Sequence, residues 1–285
     1  MQLSVVIITY NEEANIGRTL ASVAPLVRDG QGEIIVVDSG STDRTVEIAR
    51  QHGAKVFIEA WKGYAAQKNS AIEKACGDWI LSLDADEEVE PALATEIANS
   101  VDEPAKQHEW CLTGKLGGPE HEEIRQKLSN PPTAYYCHRK NYFLGRWIKH
   151  GGFWPDPKLR LFLRGAAQFE NRAVHEDARA SGRTGTVTAG ALIHHSYPTL
   201  TDYIEHMNRY SSLGAEMAGA RNFSTVNIVL RPLVTFVYNY FFRLGFLDGR
   251  EGLLLHLYHA AYVSWKYAKA WELKSRSRES GAGSR

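Results

Sequence analysis

The chain has 285 residues, too many for one minimal domain and too few for three, so an α/β domain of about 200 residues with an appendage is expected. Hydrophobic residues make up 44% and charged residues 23%, which excludes wholesale disorder, a collagen and a polytopic membrane protein. Lys+Arg and Asp+Glu are both 33, so no overall charge draws the chain to nucleic acid, and no nucleic-acid partner is expected. The three cysteines, Cys76, Cys111 and Cys137, form no CxxC pair, which argues against structural zinc or a disulfide framework and suits a reducing cytoplasm.

Leu3 to Thr9 is a continuous β-branched apolar run, the pattern of a strand covered on both faces. With no basic residues ahead of it, it reads as a strand and not as a signal peptide. Asn11 is placed to cap a helix whose apolar face is Ile16, Leu20 and Val23. Glu33 to Asp38 reads as a second buried strand, and Ser41 or Thr42 as the cap of a helix carrying Val46, Ile48 and Ala49. Lys55 to Ile58 is a short third strand, Tyr64 to Cys76 a helix, and Trp79 to Leu83 a fourth strand running into Asp84-Ala85-Asp86. Pro91 opens another helix at the position proline favours. Strand and helix alternate four times, which predicts a parallel, doubly wound sheet. Residues 102–132 read as a polar inserted loop with one helical turn, and residues 134–197 as short strands. The predicted division is a domain 1–198 in two halves, 1–100 and 101–198, a helical region 199–273, and a disordered tail 274–285.

Polar residues collect at the carboxyl ends of these strands: Asn11 and Glu12, Asp38, and Asp84 with Asp86. In an open α/β sheet that edge binds ligands. If Asp84 and Asp86 lie on an extended segment they point the same way and hold a hard divalent cation, for which Mg²⁺ or Mn²⁺ is suited. The competing reading is that Asp38 and Asp84 cap helices. Neither GxGxxG nor GxxxxGK[ST] is present, which counts against a dehydrogenase or an ATPase. A nucleotidyltransferase needs a basic glycine-rich loop after the first strand, where this chain has Tyr10-Asn11-Glu12-Glu13.

VVIITYNEEANI, EIIVVDSGSTDRT and GYAAQKNSAIEKACGDWILSLDADEEV together resemble family 2 glycosyltransferases of the GT-A fold. FLGRWIKHGGFWPDPKLRLF, AVHE and HHSYPTLTDYIEHMNRYS are similar to a narrower group, the bacterial lipopolysaccharide-core glucosyltransferases, which add β-glucose to inner-core heptose. The resemblance implies a Rossmann-like, mostly parallel GT-A domain with a C-terminal helical extension. It implies a UDP-sugar donor, a Mg²⁺ or Mn²⁺ cofactor and an anionic, lipid-linked glycan acceptor. It assigns Thr9, Glu12 and Asp38 to the uracil and ribose, Asp84 to the ribose or the metal shell, and Asp86 to the metal. It sets Gln67, Lys68 and Asn69 beside the nucleotide sugar, against the alternative of a solvated helix face.

Between Arg139 and Arg164 seven Lys or Arg face one acid, Asp156, and aromatic residues interleave them. Arginine forks bind phosphate and aromatic faces bind sugar rings, so Arg146, Trp147, Trp154 and Arg160 are acceptor-site candidates, the alternative being a solvated basic edge. Inverting transfer needs a general base. Asp156, Glu170, Glu176 and Asp177 are available, and the resemblance favours Glu176, with Asp156 the runner-up and His175 a candidate metal ligand or orienter. His194 and His195 point to opposite sides of a strand and read as structural or acceptor-side residues. The apolar helices beyond Val226, punctuated by Arg231, Arg243 and Arg250, suit either packing on the catalytic domain or a membrane interface. The expected location is cytoplasmic, with a peripheral position on the inner face of the membrane as one option.

Overall fold

A computed structural model of the chain describes the backbone of residues 2–112, 131–170, 177–218 and 225–282, and the side chains of these apart from residues 29, 102–112, 218, 225 and 277–282. The first half alternates as expected: β1 (Leu3–Thr9), α1 (Ile16–Val23), β2 (Gly32–Asp38), α2 (Thr45–Gln51), β3 (Lys55–Ile58), α3 (Tyr64–Glu73) and β4 (Trp79–Asp84). Short β5 (Glu87–Val89) and α4 (Pro91–Leu112) follow. The helix α4 continues into the segment expected to be a loop, running through Pro104 to Leu112. The rest of that expected loop, 113–130, lies outside the described residues. Then come β6 (Ala134–Phe143), β7 (Arg146–Trp147), β8 (Pro157–Leu163), β9 (Ala167–Phe169), β10 (Ala178–Ala180) and β11 (Thr184–Tyr197). The chain closes with α5 (Leu200–Ala218), α6 (Thr225–Val237) and α7 (Gly249–Ala282).

The described residues form two compact units, one from 2–112, 131–139, 157–170 and 177–194, the other from 140–156, 195–218 and 225–282. The expected cut at 198 is therefore displaced, because residues 140–156 group with the helices. The reason is packing: Phe143 and Ile148 are fully buried in a cluster with Tyr203, Met207 and Leu255. The tail expected to be disordered from Lys274 continues α7 through Ala282. Its Arg276 pairs with Glu272 one turn earlier, at 2.6 Å.

In the first unit, β3, β2, β1 and β4 lie side by side and parallel, and β8 joins β4 antiparallel. Alternation along β1 sends Leu3, Val5 and Ile7 to one face, against Ile16, Leu20 and Ile97, and Val6 and Ile8 to the other, against Ala65 and Ala71 of α3. Both faces are covered, which is why the strand sequence is apolar throughout. Every residue of β1 is buried. This central strand fixes the height of the edge where Thr9, Asp38 and Asp84 end their strands.

Candidate active site

The loops after β1 and β2 interlock. Asn11 takes a positive φ of 53°, which a short polar side chain tolerates, and its carboxamide oxygen accepts the Thr42 amide at 2.8 Å. The Asn11 amide donates to the Ser41 hydroxyl at 2.8 Å, and the Glu12 amide to the Thr45 hydroxyl at 2.7 Å. The fully buried Asp38 folds its own loop: Oδ1 accepts the Gly40 and Ser41 amides at 2.9 and 2.8 Å, and Oδ2 accepts the Ser41 hydroxyl. Gly40 sits at φ +90°, where a side chain would strain the turn. The helix-capping role weighed for Asp38 does not hold: its bonds stay within residues 38–41, while α2 begins at Thr45 with Arg44 at its N-cap position. Asn11 ties two loops and does not cap α1, whose N-cap position is Asn15.

Asp84 ends β4, and Ala85-Asp86 form a tight turn into β5. The expectation of two carboxylates converging along an extended segment does not hold, because the turn sends them to different partners. Asp84 meets Lys68 Nζ at 2.7 Å through one oxygen and Arg160 Nη2 at 2.6 Å through the other. Burial pushes its carboxyl up, yet Arg160 and Lys68 outweigh that and hold it well below the usual carboxylate range. Asp86 meets His194 Nε2 at 3.2 Å. Burial pushes Asp86 up too, and His194 draws it below its ordinary value. Antiparallel pairing sets His194 opposite Glu87, which brings the imidazole to the turn.

Glu87 is the residue that sequence reasoning missed. It is fully buried; one oxygen accepts the Asp84 amide at 3.1 Å, and the other holds Arg160 at 2.7 Å and Arg139 at 3.3 Å. Thr19 adds a bond to the Ala85 carbonyl at 2.7 Å. A signal was present: Arg160 interrupts the buried run Leu159 to Phe162, and a buried arginine must have acids beside it. Arg160 is 4% exposed and its guanidinium is taken by Asp84 and Glu87, so it is not an exposed acceptor-site residue.

Gln67 and Lys68 are buried, which overturns the solvated-face alternative. Gln67 Oε1 accepts the Lys62 amide at 3.2 Å, while Gln67 Nε2 and Thr9 Oγ1 are buried without a protein partner. Asn69 is committed to structure: its amide clamps the Phe169 backbone at 2.9 and 3.0 Å. Burial and the neighbouring Asp86, Asp43 and Asp84 raise the Glu12 carboxyl, opposed by the hydrogen bond from the Asn15 amide.

Among the described residues no three His, Cys, Asp or Glu side chains gather as a metal cage. Asp86 and His194, 3.2 Å apart, are the pair at this edge that could hold a divalent cation. Mg²⁺ and Mn²⁺ keep several positions for water and substrate phosphate, so a two-ligand site fits them. Glu176 and His175, the expected base and second ligand, lie outside the described residues. In the helical unit, Asp156 Oδ2 accepts the Asn141 amide at 3.1 Å, and Arg146 Nη1 lies 3.7 Å from Glu251. Trp147 meets Trp154 edge-on at 5.3 Å, with Lys140 and Lys149 over its ring at 4.9 and 4.5 Å. Both ammonium groups thus lie over Trp147 and not over Trp154.

The family model for Glycosyl transferase family 2 matches residues 4–168. The chain belongs to that family. It is similar to a glycosyltransferase of Rickettsia typhi, 29% identical over 97% of this chain and 89% of that one. It is also similar to the lipopolysaccharide core biosynthesis glycosyltransferase LpsC of Rhizobium meliloti, 26% identical over 97% of this chain and 95% of that one. Among solved structures, the mannosyltransferase PcManGT of Pyrobaculum calidifontis, in complex with GDP-Man and Mn²⁺, superposes with a TM-score of 0.53 at 17% identity, covering 95% and 87% of the two chains. The fold of this family 2 glycosyltransferase is therefore the GT-A arrangement of a mixed α/β sheet, and the chain is an enzyme of the transferase class.

Proposed function

We propose that this glycosyltransferase moves a sugar, glucose on the resemblance, from a UDP-sugar to a lipopolysaccharide inner-core or related anionic glycan, at the cytoplasmic side of the membrane. The observation that carries the reading is the Asp86–His194 pair held beside the Asp84–Lys68–Arg160–Glu87 network at the carboxyl ends of β1, β2 and β4. The name of LpsC supports the acceptor class.

In this reading Asp86 and His194 would hold Mg²⁺ or Mn²⁺, which would supply positive charge to neutralise the leaving diphosphate. Thr9 Oγ1 and Gln67 Nε2, buried without protein partners, offer polar contacts to the nucleotide. Glu12 and Asp38 are assigned to the ribose or base on the resemblance. Lys68 and Arg160 keep Asp84 ionised and aimed, so the turn carrying Asp86 is set before the donor arrives. A single displacement at the anomeric carbon inverts its configuration, with Glu176 as the base that takes the acceptor proton and Asp156 as the runner-up.

Titration calorimetry with UDP, with and without Mn²⁺, tests the donor site. Metal-dependent binding that disappears in Asp86→Ala is expected. Equal UDP binding with and without metal would refute the metal role, and binding of GDP in place of UDP would refute the donor.

A further inference from the structure

The helical unit carries an apolar surface with a regular pattern. Thirteen large apolar side chains between Val226 and Leu257 are exposed, more than half of all such residues described. On α6, Val226, Val229, Leu230, Leu233 and Val234 recur at helical spacing, so one whole face is apolar and uncovered. The opposite side packs on α7, where the Ser264 hydroxyl donates to the Ile228 carbonyl at 2.9 Å. The surface continues through the π-helical turn Tyr238–Phe242, where Phe242 is 75% exposed, to Leu247. Scattered apolar residues are ordinary on a protein surface, but a contiguous run of this size marks an interaction face.

The charges single out the partner. Residues 225–247 contain no Asp or Glu, while Arg231 and Arg243 are exposed among the apolar side chains. Arg231 rests on the Tyr267 ring and Arg243 on the Tyr238 ring, at 5.3 and 5.6 Å, so both charges are retained. Of the two acids just beyond, Asp248 is buried under the His150 backbone and ring, and Glu251 faces Arg146, which leaves Arg250 exposed. An apolar face rimmed by arginine complements a lipid surface of negative charge. The continuous helical run 225–242 carries Arg231, Pro232 and Asn239 along its length, and no described helix is long and apolar enough to cross a membrane. The element is suited to lie in such an interface.

We infer that the α6 face and the 238–247 turn dock the enzyme on an anionic phospholipid surface. The inference deepens and rests on the reading of a lipid-linked acceptor, whose sugar would be met at that surface.

Flotation of the full chain with phosphatidylglycerol/phosphatidylethanolamine vesicles, beside pure phosphatidylcholine vesicles, tests it. At least tenfold enrichment on the anionic vesicles is expected, falling at least tenfold in Leu233→Glu/Phe242→Glu and at high salt. Both positions are exposed, and unchanged UDP calorimetry of the variant shows that the first unit is intact. Equal recovery with and without anionic lipid overturns the inference. So does a concentration-dependent dimer in sedimentation that the same two substitutions abolish, because a second copy then covers the face. Vesicle binding without UDP binding defeats the donor reading and leaves the docking surface standing; the reverse result defeats the docking surface alone.

Discussion

Replacing Arg160 with methionine tests whether the buried cation holds the turn between β4 and β5. Arg160 Nη2 lies 2.6 Å from Asp84 and 2.7 Å from Glu87, and Glu87 is fully buried. Removing one partner of a buried pair costs about 3–5 kcal/mol, because the other is left charged in a poor solvent. Lys68 still faces Asp84 and Arg139 still faces Glu87, at 2.7 and 3.3 Å, which places the expected loss near the lower end, about 3 kcal/mol. At about 2–4 °C per kcal/mol for a chain of this size, the melting temperature should fall by about 6–12 °C. Adding Glu87→Gln removes the stranded charge, so the double variant should recover at least about 1 kcal/mol relative to additivity. Thermal unfolding followed by circular dichroism at neutral pH reads both effects. The wild-type advantage should also shrink in acid. Asp84 has a folded-state pKa below its unfolded value, so its contribution is complete above about pH 4 and fades as the pH drops further. A single variant melting within about 2 °C of wild type, or strict additivity in the double, would refute the argument.

His256 makes the helical unit sensitive to mild acid. It is 1% exposed with neither ring nitrogen bonded to protein, and burial, aided by His259 and opposed by Asp248, pushes its pKa down to about 4. The unfolded chain binds the proton first, so stability is complete above about pH 6.5 and declines toward pH 4; from pH 7 to 5 the loss is about 2 kcal/mol. Denaturant titration should find that slope in wild type and a flatter one in His256→Leu, and equal slopes would contradict it. Gly151→Ala should destabilise strongly, since φ is +68° and a new Cβ would sit 2.0 Å from the His256 ring; a variant melting like wild type would show that the ring moves aside freely. Asn11→Gly keeps the positive φ but loses the loop clamp, while Asn11→Ala adds about 1 kcal/mol of backbone strain, so melting temperatures should fall in the order wild type, Gly, Ala. His194→Ala should weaken Mn²⁺-dependent UDP binding about tenfold or more without lowering metal-free binding; an unchanged metal dependence would remove His194 from the site.

The sequence by itself determined the strands and the edge. Leu3–Thr9 could be placed to the residue because a strand covered on both faces must be apolar throughout, and its end put Thr9 beside Asp38 and Asp84. The family was legible from the resemblance carried by the TYNEE and DSGSTD motifs, whose loops are tied together by backbone amides donating to side chains. What each acid does was decided only by the tertiary structure. Asp84 and Asp86 are two residues apart, but a tight turn gives them different partners from β8, α3 and β11. Arg160 looked like part of a basic surface until antiparallel pairing of β8 with β4 buried it against Glu87. Local spacing fixes which elements form. The partner of a buried charge comes from strands far away in the chain, and only folding brings the two together.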